Sequence, residues 1–396
     1  MSMASEIKPN IYAVGAIDWD RRLFDELIPL PDGTSYNAYL IKGSAKTALI
    51  DTVDPAMAPI LFENLQQLGV THIDYVITNH AEQDHSGATP QILAKYPDAQ
   101  VVATPKCKDM DIALLAIPAE KIIAVADGET LSLGDKTLKF IYTPWVHWPE
   151  TMVTYLQEDG ILFSCDFFGS HLATSDLFVT NPPIAYESAK RYYAEIMMGF
   201  RGIIKKNLEK LKNLDLKLIA PSHGPIYPQP ALILDAYKDW ISDNVKNEVV
   251  IPYVSMHGST KEMVNHFVGA LMQRGITVKQ FNLVGIDLGK LAINLVDAAT
   301  LVIAAPTVLV GPHPLAAYAV FLANALRPKT KFASIIGSYG WAGKMVEQIS
   351  AMIPNLQVEV LEPVMVKGLP RAKDFAALDA LADKIAAKHR ELGILS

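Results

Sequence analysis

Asn79-His80-Ala81-Glu82-Gln83-Asp84-His85-Ser86-Gly87 places four metal-capable side chains within six residues, directly after the apolar run Tyr75–Thr78. A strand that ends in such a loop can turn alternate side chains toward one point. A polar turn in which Asp84 or Ser86 caps the next helix is the competing reading, and for a lone His-x-Glu it would suffice. Three further candidates follow, however: His147 in Thr143-Pro144-Trp145-Val146-His147-Trp148-Pro149, Asp166 in Ser164-Cys165-Asp166, and His223 in Ala220-Pro221-Ser222-His223-Gly224. Each comes after an apolar, strand-like run, where catalytic groups are often mounted. This clustering of ligand types favours a metal site.

The rest of the chain bounds what that site can be. A length of 396 residues exceeds one ordinary core and implies two domains. Half the residues are hydrophobic, which excludes a disordered chain. With 35 Lys+Arg against 42 Asp+Glu the net charge is −7, so no nucleic-acid partner is expected. Only Cys107 and Cys165 are present, so any metal is held mainly by nitrogen and oxygen. The first ten residues contain no apolar core of a secretory signal. The uncharged stretch Ala298–Leu326 is cut by Pro306 and by Gly311-Pro312-His313-Pro314, so it reads as a buried strand and a helix. A cytoplasmic protein with no membrane span is the expectation.

The pattern of elements is α/β. Residues 1–246 alternate short β-rich runs with helical segments at Ala56–Leu68, Thr89–Tyr96 and Tyr186–Leu214, consistent with two sheets packed between helices. Residues 247–396 show five β-α repeats, the pattern of a doubly wound parallel sheet.

That second region lacks Gly-x-Gly-x-x-Gly after its first strand. The run Val249–Met256, which contains Ser255, instead enters His257-Gly258-Ser259-Thr260 and a helix. Hydroxyls and N–H groups at such a helix start suit one phosphate, as in a mononucleotide, although helix capping alone uses the same residues. Two later strand ends add candidates: Pro306, Thr307, Val308 and Gly311, then Ser338-Tyr339-Gly340-Trp341 with Gly343. Tyr339 and Trp341 could flank an isoalloxazine, and the glycines allow close backbone approach. Three loops at neighbouring strand ends favour FMN.

The order His-x-Glu-x-Asp-His, then His, Asp and His at separations of 62, 19 and 57 residues, resembles the metallo-β-lactamase superfamily. Hydrolases there usually carry histidine where this chain has Glu82, and a carboxylate suits two irons. With Glu82, the second domain, and the runs Gly33–Leu40, His147-Trp148-Pro149 and Ser222-His223-Gly224, the chain is similar to flavodiiron proteins, the A-type flavoproteins. The resemblance implies a metallo-β-lactamase-like αβ/βα sandwich followed by a flavodoxin-like five-stranded parallel sheet. It implies that His80, Glu82 and His147 hold one iron and that Asp84, His85 and His223 hold the other, with Asp166 bridging. His85 is the exchangeable ligand, because in some members it turns away. His171 and Tyr193 are candidate proton donors, against the plainer roles of structural histidine and helix packing. Departures from the family pattern are Glu150 and Cys165, where Asp and Asn are usual, and the apolar Val308-Leu309-Val310. The implied activity is reduction of dioxygen to water, or of nitric oxide to nitrous oxide. Electrons would come from a separate rubredoxin or a reduced deazaflavin, within a head-to-tail homodimer or a dimer of such dimers. A zinc hydrolase and a non-catalytic flavin electron carrier are the alternatives.

Overall fold

The computed structural model describes residues 4–396. The chain gathers into two compact units. One runs to Tyr193 and resumes at Phe200–Ile241; the other takes Ala194–Gly199 and Ser242–Ser396.

In the first unit a seven-stranded sheet has the order Ser5–Lys8, Ile11–Ala13, Tyr39–Lys42, Thr47–Ile50, Tyr75–Ile77, Gln100–Ala103, Ile122–Ala124. A five-stranded sheet has the order Thr130–Ser132, Thr137–Tyr142, Met152–Leu156, Ile161–Cys165, Leu218–Pro221. The alternation of side chains along a strand decides what each face buries. On Thr47–Ile50, Ala48 and Ile50 enter a core shared with Leu138, Phe140, Met152 and Phe163 of the second sheet. Leu49 lies between them in sequence and packs on the opposite face with Leu61, Leu65 and Ile92, on helices Ala58–Gln67 and Thr89–Lys95. Sheet on sheet, with helices outside, is the sandwich the sequence implied. The single helix expected over 186–214 is divided. Helix Pro182–Tyr192 runs into a wide turn at Tyr193–Met197 and a tight one at Met198–Phe200 before helix Arg201–Leu211. Gly199 and Gly202 lower helix propensity at the break.

In the second unit the strand order is Thr277–Asn282, Lys246–Tyr253, Ala298–Val308, Phe332–Tyr339, then an edge made of Glu359–Val360 and Val364–Lys367. These pairings are all parallel. The first strand in sequence lies second in the sheet, which is the flavodoxin-like arrangement. Ala298–Pro306 is buried throughout, as a central parallel strand requires. The expected strand Gln357–Leu361 shortens to Glu359–Val360, and a further short strand, Val364–Lys367, follows Pro363, which has no N–H to give to the ladder. Helices Ser259–Gln273 and Ala372–Glu391 cover one face together, through Met263, Phe267, Leu271, Leu378 and Ile385. The uncharged stretch after Asp297 is strand Ala298–Val308 and helix Pro314–Leu326. Among the described residues no helix is long and apolar enough to cross a membrane.

Candidate metal centre and cofactor loops

Strand ends converge at one edge of the sandwich. The run His80–Ser86 leaves Tyr75–Ile77, Asp166 leaves Ile161–Cys165, His223 leaves Leu218–Pro221, and His147 lies in the loop before Met152–Leu156. Asp51, just past Thr47–Ile50, ties them together. Its buried carboxylate accepts from Asn79 N at 2.8 Å and Asn79 Nδ2 at 2.9 Å, and Ser222 Oγ lies 3.4 Å away. Thr154 Oγ1 donates to Asn79 Oδ1 at 2.7 Å, so the two sheets are joined by side chains at this edge. Asp51, Trp145, Cys165 and Phe168 all have positive φ without being glycine. Strain of that kind gathers at functional sites.

The seven expected ligands meet in one pocket. Asp166 divides its oxygens. Oδ2 faces His80 Nε2 at 3.5 Å and His147 Nε2 at 3.4 Å; Oδ1 faces His85 Nε2 at 3.1 Å and His223 Nε2 at 3.4 Å. On the first side Glu82 Oε2 lies 3.0 Å from His80 Nε2 and 3.1 Å from His147 Nε2. On the second, Asp84 lies 3.3 Å from His85 Nε2 and 3.1 Å from His223 Nε2. Both Asp84 oxygens, His85 Nε2 and Asp166 Oδ2 are buried with no hydrogen-bond partner among the described residues. Atoms this close yet out of line for hydrogen bonds are aimed at shared points between them, which is what a metal requires. Two clusters, His80–Glu82–His85–Asp166 and Asp84–His85–His223, each offer ligand atoms within 4.8 Å of one another. Imidazole and carboxylate donors of this mixture fit two irons.

The electrostatics agree. Burial opposes charge on His223, yet the adjacent carboxylates of Asp166 and Asp84 lift it to about 10. The same opposition ends at about 9 for His147, through Asp166 and Glu82. Burial favours protonated Asp166, but the charge of His85 and the close His147 and His223 rings hold it well below the carboxylate range. A pocket that keeps carboxylates ionised while dry attracts cations.

Around the pocket, His80 Nδ1 meets Glu150 Oε1 at 2.7 Å and His223 Nδ1 meets Ser35 O at 2.6 Å. Asn37 Nδ2 bonds Pro221 O and Gly224 O, fixing the turn that carries His223. A cavity of about 280 Å³ shares Ser35, Asn37 and Gly224 with this ledge, but no ligand set converges on it. His171 is beside the site: its ring lies 4.9 Å from that of His223 and 5.2 Å from Phe24, and its Nδ1 bonds Thr34 Oγ1 at 2.9 Å. Burial, then the His223 charge, push it well below its ordinary value, so it is a neutral ring. Tyr193 is a correction. Its hydroxyl lies 3.4 Å from Trp240 O and its ring packs on Tyr237 and Trp240. The tyrosine at the site is its neighbour Tyr192, whose hydroxyl donates to Asp166 Oδ1 at 2.7 Å. The buried stripe Ala185, Ser188, Ala189, Tyr192 follows helical spacing and was the signal for it.

In the second unit a cavity of about 260 Å³ opens at the strand ends. Ser255, His257, Ser259, Thr260, Pro306, Thr307, Ser338, Tyr339, Gly340 and Trp341 line it, with Met256 and Gly368, which the sequence had not singled out. Thr307 Oγ1 is buried and has no partner among the described residues, and Thr260 Oγ1 meets Ser338 Oγ at 3.1 Å. A helix start, hydroxyls and an aromatic pair around this cavity fit a flavin mononucleotide. Gly258 caps helix Ser259–Gln273 with φ +95° and is not in the wall. Val308 and Gly311 are not in the wall of this cavity; they pair with each other across a tight hairpin whose tip, Leu309-Val310, has φ of +49° and +68°. Gly343 acts from behind, since a Cβ there would come within 2.7 Å of Thr307 Cγ2.

Comparison with known proteins decides the family. Residues 34–224 match the model described as ODP family beta lactamase. A nitric oxide reductase of Moorella thermoacetica is 35% identical over 98% of this chain and 99% of its own. The chain belongs to the flavodiiron protein family. A coenzyme F420H(2) oxidase of Methanothermobacter marburgensis is 32% identical over 98% of this chain and 99% of its own. Among solved structures, the rubredoxin oxygen:oxidoreductase of Desulfovibrio gigas superposes with a TM-score of 0.95 at 28% identity, covering 98% and 99% of the two chains. The flavodiiron protein of Giardia intestinalis gives 0.92 at 27% identity, covering 98% and 97%. Flavodiiron proteins are oxidoreductases that combine FMN with a diiron centre, and both sites described above fit those groups.

Proposed function

We propose that the chain reduces nitric oxide to nitrous oxide, dioxygen to water, or both, with electrons from an external donor passing through FMN to a diiron centre. The observation that carries this is Asp166, whose two oxygens each face a separate His/His/carboxylate set. When bound, the metals supply electrons and open coordination positions to a small diatomic, and FMN collects electrons from the donor.

The protein's own groups do the rest. His80, Glu82 and His147 would hold one iron and Asp84, His85 and His223 the other, with the two Asp166 oxygens offered one to each set. Glu150 and Ser35 O orient His80 and His223, which sets Nε2 of each ring toward the metal. The Tyr192 hydroxyl holds one Asp166 oxygen, so the bridge keeps its rotamer as charge changes across it. His171, a neutral ring held by Thr34, walls the pocket together with Phe24 and limits entry of water. Nitric oxide coupling consumes two electrons and two protons, and dioxygen reduction four of each, so the two reactions load the same residues differently. In the second unit Ser259 and Thr260, at the helix start, would receive the phosphate, and Tyr339 and Trp341 would flank the ring.

A head-to-tail homodimer, the family's way of bringing one subunit's flavin to the other's irons, belongs to this proposal, as do a rubredoxin or reduced deazaflavin as donor and a cytoplasmic location. The test is iron, zinc and FMN quantification of the purified protein, with steady-state rates for each gas. About two irons and one FMN per chain with turnover of either gas is expected. Two zincs with no yellow chromophore would replace it with hydrolase chemistry, and negligible turnover of both gases by the iron-loaded protein would refute it.

A further inference from the structure

Three of the ligand histidines have an outer partner on Nδ1, and the three partners are chemically unequal. With Nε2 turned to the metal pocket, Nδ1 of each ring carries the hydrogen and needs an acceptor. His80 gives it to a carboxylate, Glu150 Oε1, at 2.7 Å, and His223 to a backbone carbonyl, Ser35 O, at 2.6 Å. His85 has only the sulfur of Cys165, at 3.7 Å. A thiol is a weak acceptor beside a carboxylate or a carbonyl. Asp51, His85 and Cys165 form a buried cluster of their own, with ligand atoms within 4.8 Å, so the contact is not incidental to chain direction. Cys165 is 2% exposed, immediately precedes Asp166, and has φ +53°, a conformation disfavoured for any residue that carries a β-carbon. Its carbonyl accepts from Ser222 N at 2.9 Å, which pins that backbone against the turn carrying His223.

We infer that Cys165 is a positioning residue for His85, and that its soft, distant acceptor makes the Asp84–His85–His223 position the more readily vacated of the two metal positions. The inference rests on the two-metal reading above. It assigns the sulfur a task distinct from filling space: it sets how firmly one imidazole is presented, while its unusual backbone turns Asp166 into the pocket. Asparagine would serve both ends differently. Its side-chain oxygen is a stronger acceptor, and it tolerates positive φ better than most residues.

The experiment is titration of the metal-free full-length protein with Co(II), read by the ligand-field spectrum and by metal-to-protein ratio after rapid gel filtration. Wild type, Cys165→Ala, Cys165→Asn and the same substitutions in a His85→Ala background are compared. Cys165→Ala should weaken one of the two binding steps by roughly 10-fold, the scale of outer-partner effects, and Cys165→Asn should strengthen the same step. In the His85→Ala background neither substitution should shift it further. Wild-type binding by both variants, or shifts that persist without His85, would overturn the inference and leave the two-metal reading standing. A wild-type protein that binds fewer than two metals would overturn both. If Cys165→Ala does not fold, Cys165→Asn carries the test alone, because its expected sign is opposite to that of simple damage.

Discussion

The metal pocket and the flavin loops both sit at the C-terminal ends of strands, but they are made of different material. In the pocket, buried side chains do the holding, and three of the four histidines are themselves held by another group. At the flavin loops the wall is a helix start, short hydroxyls and backbone, with the aromatic Trp341 88% exposed. One site depends on the identity of each side chain, the other on where the fold puts the main chain. Point substitutions should therefore act differently on them.

The largest effect should come from Asp166→Ala. Loss of the shared carboxylate should remove both metals and lower gas reduction by more than about 100-fold, beyond the range of outer-partner changes, with FMN retained. Metal analysis beside the visible spectrum checks it; concurrent loss of flavin would show that the two sites are not independent. Glu150→Gln keeps the shape but takes the charge from behind His80, and metal affinity should fall roughly 10–100-fold. An unchanged affinity would mean that side-chain partners matter less in the pocket than proposed. At the flavin loops, Gly343→Ala pushes a methyl toward Thr307, an overpacking on the order of 1–2 kcal/mol, and FMN should bind about 10-fold more weakly while metal content is unchanged. Fluorescence titration of the flavin-free protein measures this.

The smallest expected effect contrasts two buried histidines. His389 lies in the second unit with neutral partners, Thr300 Oγ1 and Asn247 Oδ1, both at 2.8 Å. Burial lowers it to about 4, whereas His223, among carboxylates, is raised to about 10. Because the folded value is depressed, the neutral His389 ring stabilises fully above its unfolded value near 6.5, and that stability is lost as pH falls toward 4. The loss should be on the order of 1 kcal/mol by pH 6, growing with further acid. His389→Gln should flatten the thermal-melting profile of the second unit between pH 6.5 and 4; an unchanged slope would remove His389 as its cause.

Legibility in the sequence followed the same division. The seven pocket residues are chemically conspicuous and follow apolar runs, so their clustering marked them as candidates and the resemblance to flavodiiron proteins implied their roles. The sandwich and the parallel sheet followed from alternation and β-α rhythm. What stayed hidden depends on geometry that composition does not encode. Tyr192 and Tyr193 are both buried and adjacent, and only the helix phase up to Tyr192 distinguishes them. Asp51 looks like any polar strand end until its carboxylate is seen to bind Asn79. Val308 and Gly311 belong to a hairpin because two non-glycine residues between them adopt positive φ, which no turn signature announced. Pro363, by contrast, was a readable reason for the break between the last two edge strands.

The bracing at Asp51 has a consequence for the life of the protein in a cell. The bonds among Asp51, Asn79, Thr154 and Ser222 involve protein atoms only, so the edge of the sandwich is braced without help from an ion, and a metal-free chain is expected to keep this edge. A pocket shaped in advance does not select its occupant through folding, and divalent zinc outranks ferrous iron for such ligands in general affinity. Which ion is present is then a record of what the cell offered during synthesis. The same polypeptide, made under iron starvation, is expected to be a stable, correctly folded zinc protein whose flavin still takes up electrons but whose metal pocket cannot pass them on.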